Sequence, residues 1–342
     1  MKNANVTAVA FVVCAAIALT AGFTARAQEK ERTPLRLVAT IPLPDVHGRI
    51  DHFDVDLAGK RLFMSALGNN TVEVFDIAAN KRIHRIRGLH EPQGVTYVPA
   101  TSRIFVANGD DGMVRIFDGK SYQLLKAVHL ASDADDTRLD AAKQQVYVGY
   151  GDKGNAGLAI FDAATGNVAG TIPLPAHPEG FQLEQKGARI YVNIPEANNV
   201  IEVVDRSARK VIGTWKLGGA EDNFPMALDE ANHRLFIVCR TPAELLALDT
   251  NSGKIVAKVP SVEHADDVWY DGVNKRIYVS GGQGFITIVA QEDGDHYRRV
   301  AEFKTADGGR TSLLAPELGR LFLGIWGRSG RPEELRVYDV QP

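Results

Sequence analysis

Apolar residues along this chain occur in short runs and not at helical spacing. The runs are rich in Val, Ile, Phe and Tyr, and they alternate with segments rich in Gly, Asn, Asp and Pro. Runs of this kind, bounded by turn-forming residues, are typical of β-strands, whereas amphipathic helices need apolar residues three and four positions apart. The pattern therefore predicts an all-β chain.

One longer pattern recurs along the sequence. Each copy reads R-[IL]-[YF]-V or a close variant, then a polar turn, then a β-branched run that ends in Asp. The copies begin at Arg61, Arg103, Val146, Arg189, Arg234, Arg276 and Arg320. They close at Asp76, Asp118, Asp162, Asp205, Asp249 and Asp339, with Gln291 in the sixth place. A spacing of roughly 40 to 50 residues is typical of propellers and other repeat architectures.

Each repeat contains about four strand-like runs, which predicts a seven-bladed β-propeller of four-stranded blades. In the first repeat the runs are 50–55, 61–66, 71–77 and 82–87. The last repeat stops after three runs, near Asp339, and the run 35–41 near the N-terminus belongs to no repeat. We therefore predict that 35–41 is the fourth strand of the C-terminal blade, which closes the ring and leaves no free edge.

The segments 61–76, 189–205 and 276–288 resemble the YVTN β-propeller repeat of secreted bacterial proteins. The resemblance covers nearly all of the chain after its first 27 residues, and it implies the seven-bladed fold. The YVTN family consists mostly of binding or surface proteins, and some of its relatives are subunits or domains of redox enzymes. The function implied is therefore open.

The first 27 residues predict a cleaved signal peptide. Lys2 precedes an apolar stretch at 6–20, and Ala25-Arg26-Ala27 is typical of a cleavage site. The stretch is short for a membrane span and no second one follows, so no membrane anchor is expected. Residues 28–342 are predicted to form a single propeller domain that is periplasmic or secreted.

Charge and cysteine content exclude several classes of partner and cofactor. The formal net charge of −3 gives no indication of nucleic-acid binding. The basic run 81–87 falls at a predicted outermost strand, where charge prevents edge-to-edge pairing, and we expect a monomer. Cys239 is the one cysteine after the predicted signal peptide, and its apolar surroundings predict a core position. No motif for covalent haem is present, and no bound cofactor is evident.

The loops before the first strands predict a ring of polar residues. The first strand of a propeller blade lines the central channel, so the loop before it, here called the mouth loop, lies at one channel mouth. Aligning the repeats places at this ring Asp51, Gln93, Asp135, Glu179, Phe224, Asp266 and Arg310. The next position holds His52, Gly94, Asp136, Gly180, Pro225, Asp267 and Thr311. These polar residues are the predicted ligand site at the channel mouth.

Carboxylates that converge on one axis repel one another, so a cation, an Arg or water must offset them. Arg310 is expected to pair with both Asp266 and Asp51, whereas Asp135 and Glu179 have no such partner in the ring. A structural alternative is that the Asp pairs 135–136 and 266–267 only fasten loops between blades.

Five of the nine histidines lie in the mouth loops: His47, His52, His90, His177 and His264. Histidine with carboxylate is typical of Zn, Cu, Ni, Mn or Fe sites, whereas carboxylate with amide suits Ca. A divalent metal ion is therefore predicted at Asp51, Asp135 and Glu179. Three positions past the ring lie Asp54, Thr96, Arg138, Gln182 and Trp269, which face either the channel or a neighbouring blade.

Three functions follow, and whether the chain is an enzyme stays open. The sequence favours an exported binding or interaction protein that presents its polar, His-rich mouth to a small ligand or a periplasmic protein. The alternative is a metal-dependent hydrolase or lyase of the propeller-lactonase type, with His52, His177 or His264 as the catalytic base. The third is a propeller subunit of a periplasmic redox enzyme whose partner chain carries the cofactor.

Overall fold

The computed structural model describes residues 1, 33–328 and 330–342. The predicted signal peptide lies, apart from Met1, outside the described residues. Within them the helical elements are three short 3-10 turns, at Leu67–Asn69, Pro195–Ala197 and Pro316–Leu318. No helix in the described ranges has the length and apolar character that crossing a membrane requires.

Seven sheets of four antiparallel strands confirm the predicted propeller. Blade 1 contains β2 (Phe53–Asp56), β3 (Arg61–Ala66), β4 (Thr71–Asp76) and β5 (Lys81–Ile86). Blade 2 contains β6 (Pro92–Val98), β7 (Arg103–Asn108), β8 (Met113–Asp118) and β9 (Leu124–His129). Blade 3 contains β10 (Thr137–Asp140), β11 (Gln145–Tyr150), β12 (Ala156–Asp162) and β13 (Val168–Leu174). Blade 4 contains β14 (Phe181–Leu183), β15 (Arg189–Ile194), β16 (Val200–Asp205) and β17 (Lys210–Lys216).

The remaining blades follow the same order of strands. Blade 5 contains β18 (Glu221–Asp229), β19 (Arg234–Thr241), β20 (Ala243–Asp249) and β21 (Ile255–Pro260). Blade 6 contains β22 (Ala265–Asp271), β23 (Arg276–Gly281), β24 (Phe285–Gln291) and β25 (Tyr297–Lys304). Blade 7 contains β26 (Thr311–Ala315), β27 (Arg320–Ile325), β28 (Glu334–Val340) and, from the N-terminal side, β1 (Leu35–Pro42).

The ring closes through β1, as predicted. This strand pairs antiparallel with β28, with a register that runs from Leu35 opposite Val340 to Pro42 opposite Glu334. Asp339 of β28 forms ion pairs with Arg36 of β1 and with Arg320 of β27, the latter at 2.6 Å between Nη1 and Oδ1. Blade 7 therefore has four strands like the other blades.

The apolar core lies between the blades, as seven clusters with one at each blade-to-blade contact. Strand β3 shows how the sequence builds them. Its Leu62 and Met64 pack in the cluster shared with blade 7, whereas Phe63 packs in the cluster shared with blade 2. Alternate residues of a strand point to opposite faces of the sheet. Because both faces are covered, the three consecutive residues Leu62, Phe63 and Met64 are all apolar.

The Asp residues that close the first five repeats form turns. Asp76 Oδ1 accepts a hydrogen bond from the Ala79 amide at 2.9 Å, and Asp162 Oδ1 accepts one from the Thr165 amide at 2.7 Å. An Asp side chain that binds a backbone amide two or three residues ahead stabilises a tight turn. The closing Asp residues of blades 1 to 5 therefore act as turn formers between the third and fourth strands.

The basic run lies on the outermost strand β5, as predicted. Two of its arginines also stabilise the blade itself. Arg82 and Arg85 both form ion pairs with the fully buried Glu73, at 3.0 and 2.6 Å. Cys239 is also buried, as predicted, and burial raises the pKa of its thiol to about 12. It is a core residue and not a reactive thiol.

Candidate functional site

The innermost strands place most of the predicted ring residues around one cavity at the channel mouth. Their mouth loops end at β2, β6, β10, β14, β18, β22 and β26. The cavity is lined by His52, Asp135, Asp136, Glu179, Asp266 and Asp267, with Phe224 and Pro225 of blade 5. Blades 1, 3, 4, 5 and 6 thus contribute to it together.

Two arginines neutralise Asp266. Arg310 Nε lies 2.7 Å from Asp266 Oδ2, as expected from the sequence, and Arg240 Nη2 lies 2.5 Å from Oδ1. The Arg240 guanidinium also stacks on the Phe224 ring, 3.6 Å from its centroid. A carboxylate held by two guanidinium groups has little charge left for a ligand.

The expected pairing of Arg310 with Asp51 is wrong. Within the described residues no ion pair joins them, and Asp51 Oδ2 instead pairs with Arg49 Nη2 at 2.9 Å. Arg49 belongs to the same mouth loop and reaches Asp51 without crossing the channel. Burial of Asp51 outweighs the charge of Arg49 and raises the pKa of this carboxyl to about 6.

Asp135, His177 and Glu179 form a compact cluster. One ligand atom of each lies within 4.8 Å of the other two, and His177 Nε2 lies 3.5 Å from Asp135 Oδ2. His177 Nδ1 lies 2.8 Å from the Gly151 carbonyl oxygen. The cluster joins the mouth loops of blades 3 and 4.

The pKa values in this cluster are shifted by burial and by neighbouring charge. Burial lowers the pKa of His177, but the hydrogen bond and charge of Asp135 outweigh it and raise that pKa to about 10. Burial raises the pKa of Asp135, but His177 more than offsets this and holds it below the usual value. Burial first, and the charge of Asp135 second, raise the pKa of Glu179 to about 8.

His52 lies on the opposite side of the mouth and contacts Asp267. Its Nδ1 is 3.4 Å from Asp267 Oδ1. Burial lowers the pKa of His52, but the charges of Asp51 and Asp267 raise it well above the usual value. Asp267 Oδ2 also accepts a hydrogen bond from the Ser312 amide at 2.7 Å, so this residue links blade 6 to blade 7.

The remaining predicted residues fall into two groups. Gln93 stays at the mouth, where its Nε2 donates to Asp133 Oδ1 at 2.8 Å. His264 was predicted as a catalytic candidate, but its side chain is exposed and takes no part in the cluster. The reason lies in the backbone, because His264 has a φ of 54° whereas the equivalent His177 does not adopt a positive φ. His47 and His90 are exposed as well.

A second cavity of about 350 Å³ continues along the channel. Its lining includes all five residues three positions past the ring: Asp54, Thr96, Arg138, Gln182 and Trp269. Arg138, Gln182 and Trp269 also line the mouth cavity, as do His52 and Asp136. These five residues therefore separate the two cavities, and Arg138 forms an ion pair with Asp136 there.

Sequence reasoning missed Arg49, Asp133 and Arg240. Arg49 and Asp133 stand two positions before the ring, the same offset as His177, so the alignment of repeats contained the signal. Arg240 stands six positions after the Arg of its repeat, where other blades have Leu, Gly, Pro or Trp. Arg240 is thus the one charged residue at this position of the repeat, and that difference was the sequence signal for a role at the mouth.

We expect Glu179→Gln to stabilise the protein more at pH 8.5 than at pH 5. The folded pKa of about 8 lies above the usual 4.5, so the folded protein binds this proton more tightly than the unfolded chain. The contribution of Glu179 to the free energy of unfolding is therefore fully present below the unfolded pKa. It is lost as pH rises through the folded pKa. Because Gln stays neutral at every pH, the variant does not undergo this loss of stability.

The measurement is the melting temperature of both proteins in EDTA at the two pH values. Glu317→Gln is the matched control because Glu317 is exposed, and it should shift the melting temperature equally at both. A Glu179→Gln shift that is the same at pH 5 and pH 8.5 would contradict the assigned pKa.

Comparison with known proteins relates the chain to other propellers. No family model matches it. It is 25% identical over 259 residues to the uncharacterized protein YncE of Salmonella typhi, which covers 71% of each chain. Over 87 residues it is 34% identical to the uncharacterized protein YncE of Escherichia coli K12, a match that spans 25% of this chain and 24% of that one.

Solved structures share the architecture at low sequence identity. A chain of the mitotic checkpoint complex superposes with a TM-score of 0.74 and 14% identity, covering 99% of this chain and 100% of that one. A chain of Kuenenia stuttgartiensis hydrazine synthase superposes with a TM-score of 0.73 and 14% identity, covering 82% and 93%. At this identity the likeness shows the fold alone. The chain is thus a seven-bladed β-propeller with sequence similarity to YncE-type proteins.

Proposed function

We propose that the chain is an exported binding protein, periplasmic or secreted, that holds a small polar ligand at the mouth of its channel. The observation that carries this is a pair of buried acceptors. Asp135 and Asp136 line the mouth cavity at 8% and 2% exposure. Asp135 Oδ1 and Asp136 Oδ2 accept no hydrogen bond from the part of the chain that the structure describes.

A buried acceptor without a partner destabilises a protein by about 1–3 kcal/mol. Residues that serve only to fasten loops have their oxygens bonded, as Asp267 does through Ser312. The free oxygens of Asp135 and Asp136 are therefore suited to a ligand that carries hydrogen-bond donors or a positive charge. Ligand sites are typically concave, with a few convergent polar groups of this kind.

The cavity further along the channel suits the rest of such a ligand. Trp269 offers an aromatic face there, and its Nε1 is engaged with Ser312 Oγ at 3.1 Å. Gln182 donates to the Met226 carbonyl at 2.9 Å, which leaves its side-chain oxygen for the channel. A binding role needs only these groups, whereas a redox subunit would also need a partner chain.

The test uses residues 28–342 incubated with a polar-metabolite extract, followed by desalting and native mass spectrometry. We expect the wild-type protein to retain a small molecule and Trp269→Leu to retain it at least about tenfold less, equal to about 1.4 kcal/mol. Trp215→Leu is the matched control, since Trp215 is a partly buried Trp on the outer strand β17.

Retention by the control should equal that of the wild type. The proposal is overturned if the wild type retains no compound, or if Trp269→Leu retains the same compound equally well. Circular dichroism of each variant establishes that the comparison is made between folded proteins.

A further inference from the structure

We propose that Asp135, His177 and Glu179 form a site for one divalent first-row transition-metal ion, with Zn²⁺ as the best fit. The inference rests on the proposed function, because the ion would lie in the mouth cavity beside the ligand. This ligand set differs from the one predicted from the sequence, which contained Asp51 and not His177. Asp51 is already held by Arg49 at 2.9 Å.

The spacing of the ligand atoms fits a bound metal ion. Zn²⁺ binds His nitrogen and carboxylate oxygen at about 2.0–2.2 Å, so two ligands of a tetrahedral ion lie about 3.4 Å apart. His177 Nε2 and Asp135 Oδ2 are 3.5 Å apart, and all three ligand atoms lie within 4.8 Å of one another. Binding of one ion brings these three atoms closer to that separation of about 3.4 Å.

The orientation of His177 is fixed as in metal-binding histidines. A carbonyl oxygen only accepts hydrogen bonds, so the Nδ1 atom at 2.8 Å from Gly151 O carries the proton. Nε2 is then the atom that faces the carboxylates, and it can hold either a proton or a metal ion. Donation of the second ring nitrogen to a backbone carbonyl is the usual support for a metal ligand. The residue is 6% exposed, so this orientation is held by packing.

Arginine partners are distributed unevenly among the carboxylates around the mouth. Asp51 and Asp266 each have an arginine partner. No Lys or Arg among the described residues forms an ion pair with Asp135 or Glu179, and Asp135 Oδ1 has no hydrogen-bond donor there. Asp135 therefore keeps one buried oxygen without a hydrogen-bond donor on the side of the mouth where His177 stands, although its other oxygen faces His177.

The donor set selects the class of ion. Imidazole together with carboxylate suits Zn²⁺ and its neighbours, whereas Ca²⁺ and Mg²⁺ favour oxygen ligands alone. Three protein ligands leave one position of a tetrahedral ion for a water molecule or a ligand atom. The site therefore suits a ligand with an anionic or carbonyl oxygen at the end that enters the mouth.

The test is a Zn²⁺ titration of chelator-treated residues 28–342 by calorimetry, with stoichiometry checked by elemental mass spectrometry. We expect one equivalent of Zn²⁺, and no displacement by a Ca²⁺ or Mg²⁺ excess. Asp135→Asn and His177→Gln should each weaken Zn²⁺ binding at least about tenfold. Should one of these variants fail to fold, Glu179→Gln takes its place, because it keeps the size of the side chain.

His296→Gln is the control, since His296 forms an exposed pair with Asp293 at 2.8 Å. Zn²⁺ binding that survives the cluster substitutions, or that disappears with His296→Gln, would overturn the site. Retention of metabolites with and without EDTA separates the two proposals. Ligand retained without any Zn²⁺ binding overturns only the metal site, whereas Zn²⁺ bound without any retained ligand overturns only the proposed function.

Discussion

Deletion of residues 33–42 is expected to abolish cooperative thermal unfolding of the propeller. The deletion removes β1, which supplies the fourth strand of blade 7 and pairs with β28 along its whole length. It also removes Leu35, which is 1% exposed and packs between blades 6 and 7. An unpaired strand edge lowers stability and promotes association between chains.

The measurement is a circular dichroism melt combined with size-exclusion chromatography. A chain that begins at Thr33 is the matched control, because it keeps β1, and it should unfold in one transition as a monomer. A chain that begins at Leu43 should show a broad or absent transition and elute as larger species. An unchanged, sharp transition in the shorter chain would show that β1 is dispensable.

Arg206→Ala is expected to lower the free energy of unfolding by about 3–5 kcal/mol. Arg206 is 8% exposed, and its Nη1 pairs with Asp140 Oδ2 at 3.0 Å, which links blade 4 to blade 3. Its Nη2 donates to the carbonyls of Glu184 and Gly187, at 3.0 and 2.6 Å. Removing it leaves the buried charge of Asp140 without its partner, and that is the larger part of the loss.

Chemical denaturation followed by intrinsic fluorescence measures this change. Arg209→Ala is the control three residues further on, because Arg209 is exposed and, within the described ranges, its side chain donates to no group other than the Ala169 carbonyl. Its effect should stay within about 0.5 kcal/mol. A loss below about 1 kcal/mol for Arg206→Ala would show that water replaces the guanidinium at Asp140.

The fold was predictable because the repeat marks the same backbone positions in every blade. The second strand expected at 61–66 is observed at Arg61–Ala66, and the closing strand expected at 35–41 is observed at Leu35–Pro42. The inner strand expected from residue 50 begins at Phe53. Asp51 and His52 still exchange backbone hydrogen bonds with Ser65, but they lie in the mouth loop before the regular ladder.

The site was only partly predictable, because a repeat places backbone positions and not side-chain directions. His177 and His264 occupy the same repeat position, yet one is buried in the cluster and the other is exposed. Arg240 reaches the mouth from the end of a second strand, by stacking across Phe224. Such contacts depend on residues of neighbouring blades, and alignment of one repeat with the next does not contain them.

The strand pairing in blade 7 also has a kinetic consequence. Arg36 and Asp339, which meet across β1 and β28, are 303 residues apart in the chain, whereas most other strand pairs join hairpin neighbours. Bringing distant segments together costs loop-closure entropy, and contacts of high sequence separation form slowly. Six blades can therefore assemble from contacts between neighbouring strands before β1 pairs with β28. The first strand of the described residues is thus among the last to be fixed in place.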